Sequence, residues 1–89
     1  MTNYFKQFLI GYASAGHTVS DEALEEIEKL TTNFINIIDK ENYYSEIALY
    51  QYFVYLKEHM SDENIGYFHL YFNENRYKNI MSSYLRKYL

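Results

Sequence analysis

From Leu24 to Ile38 the large apolar residues fall on one helical arc: Leu24, Ile27, Leu30, Phe34, Ile35, Ile37 and Ile38. Glu25, Glu26, Glu28, Lys29, Asn33, Asn36 and Asp39 take the remaining positions. Apolar residues recurring every three to four positions predict a half-buried amphipathic helix. Ser20 stands at its N-cap, Val19 and Leu24 at the two positions of a hydrophobic staple, and Asp21 and Glu22 at the positive end of the dipole. The same period predicts a helix over Asn75–Tyr88. There Tyr77, Ile80, Met81, Tyr84, Leu85 and Tyr88 share an arc, opposite Arg76, Asn79, Ser83, Arg86 and Lys87. Phe5, Phe8, Leu9 and Tyr12 predict a further helix from Asn3 to about Ala15, with Thr2 or Asn3 as cap and Gly16 as the stop.

The stretch Tyr43–Leu56 differs in kind. Its polar residues fail to gather on one side: Glu46 lies in a strip with Lys57, Gln51 in another with Glu58, and Ile47 and Val54 sit between them. A helix apolar nearly all round is either wrapped by its neighbours or shared with a second chain. This stretch is therefore expected to be the centre of the fold, with Val54 in a buried or interfacial site. Asp39–Asn42 is a short polar link whose Asn42 can cap the central helix, and the break at Ser61–Asn64 ends it near His59. Ile65–Phe72 admits both periods. Helix is preferred, because a strand there has only Tyr4–Ile10 to pair with and a lone pair of strands is marginal. The expected fold is all-α, a single domain spanning 1–89, built as a compact bundle of four to five helices with short links.

Composition narrows the chemistry. The three glycines, at 11, 16 and 66, form no phosphate-binding loop, and there is no cysteine to act as nucleophile, disulfide or metal thiolate. His17, His59 and His69 make no zinc-binding helical pair. Glu22, Glu25 and Glu28 lie at metal-ligand spacing, but on the polar arc and with no Glu-x-x-His partner. The expectation is a chain without catalytic residues, cofactor or metal. The N-terminal apolar run is too short and broken for a signal peptide, and no stretch approaches a membrane span, which points to a soluble, cytoplasmic protein. Frequent Tyr, Phe, Ile, Asn and Lys with no Pro, Cys or Trp matches the usage expected of an AT-rich coding sequence, so genome bias stands beside function as an account of the tyrosine load.

Charge and tyrosine supply the functional expectation. Residues 20–46 hold eight acids against Lys29 and Lys40, while residues 75–89 hold Arg76, Lys78, Arg86 and Lys87 and no acid. Helix-dipole bias explains the acids at a helix start and the bases at a helix end, but not Glu25, Glu26 and Glu28. A negative face of that kind repels nucleic acid and attracts basic proteins. Twelve Tyr and six Phe exceed what so small an interior absorbs, and exposed aromatics mark binding hot spots. The candidate protein interface is Tyr44, Tyr52, Tyr55, Tyr67 and Tyr71 with Glu22, Glu25 and Glu26, facing a partner with a basic surface or, for the tyrosines, a second copy of the chain. In size, acidity and helix content the chain is similar to bacteriocin immunity proteins and to inhibitors carried by phage and mobile elements. That likeness transfers no residues. The alternative is a DNA-binding regulator using Arg76, Asn79, Ser83, Arg86 and Lys87, which the net charge of −4 and the lack of helix-turn-helix spacing disfavour.

Overall fold

In the computed structural model, residues 2–14, 18–65 and 74–88 are described. Among them every regular element is helical: α1 (Thr2–Ser14), α2 (Asp21–Ile37), a 3₁₀ turn (Lys40–Asn42), α3 (Glu46–His59), α4 (Asp62–Ile65) and α5 (Glu74–Tyr88). The expected all-α bundle is what forms. Its Cα radius of gyration of 12.0 Å matches the roughly 12 Å of a compact chain of this length. Except at Ile65, the helix-or-strand question at 65–72 falls on residues outside those described.

The local signals explain most boundaries. Ser20 has an extended backbone (φ −69°, ψ 160°) and its hydroxyl accepts from the Ala23 amide at 3.2 Å, while Val19 and Leu24 both pack against the core. The central helix starts later than expected. Ser45, not Asn42, is its cap, accepting from the Ala48 amide at 3.1 Å. Asn42 instead closes the 3₁₀ turn, which Asp39 caps through the Glu41 amide at 3.1 Å, and its carbonyl accepts from the Ser45 hydroxyl. Asn42 lies in the 3₁₀ turn, too far ahead of Glu46 to reach the free amides of α3, whereas Ser45 stands immediately before it.

α1 is buried more completely than α3, although α3 packs against α1, α2 and α5. Phe5, Phe8, Leu9, Ile10, Tyr12 and Ala13 of α1 are all buried, and the helix packs against both α2 and α3. Each large apolar side chain taken fully from water contributes about 1.5–3 kcal/mol, so this segment holds much of the core energy. α3 is buried along Ala48, Leu49, Tyr52 and Leu56 alone. Its opposite side meets water: Ile47 and Tyr50 are 55% and 54% exposed, and Val54 is half-buried. α2 turns Ala23, Ile27, Thr31, Phe34 and Ile35 inward. Ile37, at the edge of its arc, is 70% exposed.

Ring contacts fix how the helices run. Tyr43, just before α3, stacks on Phe5 at the start of α1 (centroids 4.0 Å, planes 13° apart), and its hydroxyl points to the Ile35 carbonyl near the end of α2 at 3.5 Å. The start of α1, the end of α2 and the start of α3 thus meet at one end of the molecule, so α2 runs antiparallel to both neighbours. α5 closes over α1 through Tyr84, whose hydroxyl donates to the Phe8 carbonyl. Gly11 makes room for it, because a Cβ there would lie 2.7 Å from the Tyr84 hydroxyl oxygen.

Candidate protein-interaction surface

Folding redistributes the residues expected at an interface. Tyr52 is removed from the list: it is fully buried, and its hydroxyl meets the Thr31 hydroxyl at 2.7 Å. Thr31 also donates to the Ile27 carbonyl at 2.6 Å, so this polar pair is satisfied inside the core. Burial pushes the Tyr52 phenol well above its ordinary pKa, an effect the Thr31 hydrogen bond opposes and the neighbouring Tyr84 reinforces. Thr31 was not singled out in the sequence, although it stands four residues from both Ile27 and Ile35 at the middle of the apolar arc. Tyr55 is half-buried with its ring against Phe34 (5.5 Å) and His59 (4.3 Å), so it too faces α2 more than solvent.

Tyr44 stays at the surface, 38% exposed, but it has a structural task. Its φ of 61° lies in the left-handed region, which costs a non-glycine residue about 1–2 kcal/mol. The ring packs against Phe5 (5.2 Å) and Phe8 (5.0 Å), roofing the first turns of α1 and offsetting that cost. Tyr67 and Tyr71 lie outside the described residues.

The acidic residues divide in the same way. Glu22 and Glu25 are exposed on α2. Glu26 is not a free member of the acidic face. Its carboxylate accepts from the Ser61 amide (2.6 Å) and the Asn64 side-chain amide (3.2 Å), tying α2 to the beginning of α4. Partial burial pushes its pKa up, but the hydrogen bonds from Ser61 and Asn64, with the charge of Lys29, outweigh that and hold it below the ordinary value of 4.5. By fixing α4 beside α2, Glu26 brings the exposed Asp62 and Glu63 to the end of the molecule that already carries Asp21, Glu22 and Glu25. On α5, Asn79, Ser83, Arg86 and Lys87 are exposed as expected, and Arg76 is placed by its backbone alone.

The surface is consequently divided by end. Tyr4 (76% exposed), Ile37, Tyr44 and Ile47 gather where α1 begins, α2 ends and α3 begins, with Tyr50 about one turn further along α3. The opposite end carries Asp21, Glu22, Glu25, Asp62 and Glu63, while exposed Asp39, Glu41 and Glu46 lie, with Lys40, at the same end as the apolar residues. Among the described residues no three His, Asp or Glu side chains are grouped to hold a metal ion, and no helix is long and apolar enough to cross a membrane. No family model matches the chain, and no curated protein or solved structure matches it either.

Proposed function

We propose that the chain is a non-enzymatic protein-binding module that regulates or inhibits a protein partner with a basic surface. The observation that carries this reading is the exposure of large apolar side chains at one end and of the carboxylates of Glu22, Glu25, Asp62 and Glu63 at the other. The core is built largely from side chains of α1, α2, α3 and α5, and Tyr4, Ile37, Ile47 and Tyr50 stay more than half exposed beside it. Large apolar side chains left in water towards one end of a molecule favour association with another protein surface. The carboxylates of Glu22, Glu25, Asp62 and Glu63 at the other end supply a field that speeds encounter with cationic partners and slows encounter with nucleic acid.

The test is affinity capture from the native host followed by measured affinity for the captured protein. Glu22→Lys with Glu25→Lys weakens that complex by about tenfold or more and leaves the helical spectrum unchanged, since both side chains are exposed. Glu26 is left intact, because losing it would also release α4. Arg86→Glu with Lys87→Glu has little effect. Sequence-specific DNA binding at about 150 mM salt that this second pair abolishes would replace the proposal with a DNA-binding regulator.

A further inference from the structure

The outer face of α3 carries a pattern complementary to itself. Ile47, Tyr50 and Val54 follow one another at helical spacing and form a stripe about 10 Å long. Two of them are more than half exposed, and Val54 is half-buried beside them. Along one edge of the stripe Glu46 stands at the beginning and Lys57, about 16 Å further on, near the end; both are exposed.

We propose that a second copy of this chain docks on this stripe, the two α3 helices lying side by side and antiparallel. The inference rests on the reading above that the exposed apolar side chains serve association, and it names their occupant. A two-fold axis passing near Tyr50 sets Ile47 of each copy against Val54 of the other and brings the two Tyr50 rings together. The same rotation keeps the charged edge facing its own counterpart, so Glu46 of each copy meets Lys57 of the other at both ends. Such an isologous contact closes on itself. Antiparallel packing also sets the two helix dipoles head to tail. A stripe this short buries less than a standard interface of about 1,600 Å², so the dimer is concentration-dependent rather than obligate.

Sedimentation equilibrium tests the pairing. The mass is expected to rise from 10.8 kDa towards twice that value as concentration increases. Ile47→Glu holds the chain at single mass with an unchanged helical spectrum, because the site is exposed in one copy. Glu46→Lys and Lys57→Glu each weaken association about tenfold by setting like charges opposite one another, and the two together restore it. Tyr50→Cys, placed in a chain with no other cysteine, oxidises to a linked dimer. A single-chain mass at about millimolar concentration, or a dimer indifferent to Ile47→Glu, overturns the proposal, and a dimer unmoved by Glu46→Lys overturns the antiparallel arrangement. A chain that stays single while a basic partner still depends on Glu22 and Glu25 sinks this inference and leaves the broader reading standing. A dimer with the expected mutant pattern but no such partner does the reverse.

Discussion

The contact between Gly11 and Tyr84 shows how one residue sets the approach of two helices. Glycine inside a helix costs about 1 kcal/mol relative to alanine, so its presence in α1 needs a compensating contact. The Tyr84 hydroxyl lies where an alanine Cβ would collide at 2.7 Å, whereas the nearest ring carbons would sit at 3.7 and 3.8 Å, ordinary contact distances. Gly11→Ala is therefore expected to destabilise by about 1–3 kcal/mol through overpacking and loss of the bond to Phe8. In a Tyr84→Phe background the same change should become stabilising by about 0.5–1 kcal/mol, since only the helix propensity remains. Urea denaturation of the four proteins in this cycle checks both signs. A second asymmetry lies in the buried hydroxyl pair. Tyr52→Phe leaves Thr31 bonded to Ile27 and costs about 1 kcal/mol, whereas Thr31→Val strands the Tyr52 hydroxyl and costs more, about 1–3 kcal/mol. The raised pKa of Tyr52 adds a pH dependence. A group harder to deprotonate in the fold stabilises fully below its unfolded value, near 10 for tyrosine, and that contribution is lost as pH rises beyond it. Alkaline melts should show this loss in the parent and a shallower one in Tyr52→Phe.

At the scale of elements, α4 depends on a residue of another helix. A single turn of four residues has no cooperative stability of its own. The carboxylate of Glu26 binds the amide that opens it, much as a local cap would, but from 35 positions away in the chain. Because the pKa of Glu26 is depressed, its contribution is complete above the unfolded carboxylate value and declines as pH falls through the folded one. The protection factor of the Ser61 amide, its exchange rate relative to an unstructured amide at the same pH, should fall on acidification below about pH 4.5. Glu26→Gln should already show low protection at neutral pH and lack the acid step; an unchanged Ser61 protection factor in that variant would remove Glu26 from this role. The central helix shows the other limit of local reading. Its apolar residues are real, but only one side serves the core. A charge at Leu49, which is fully buried, should cost several kcal/mol. The same charge at half-buried Val54 should cost clearly less in thermal melts of dilute protein.

For the whole molecule, the amphipathic period of α2 and α5, the Ser20 cap, the short links and the absence of cysteine were enough to specify an all-α bundle. These are local properties, set by which side chains lie on one face and which groups satisfy a helix end, and they survive any arrangement of the helices. The candidate surface was legible only in part. Exposed carboxylates on α2 and the polar face of α5 follow from the same wheel. The roles of Tyr52, Glu26, Ile37 and Tyr50 do not. A tyrosine is equally suited to a core with a hydroxyl partner and to a wet surface, and only the placement of Thr31 decides for Tyr52. A glutamate on a polar arc is solvated unless a distant amide arrives, as Ser61 does for Glu26. A helix apolar all round does not declare its buried side. Tertiary packing chose Ala48, Leu49, Tyr52 and Leu56 for the interior and left Ile47 and Tyr50 outside, because α1 and α2 pack against that one side, with Tyr12 and Thr31 meeting Tyr52.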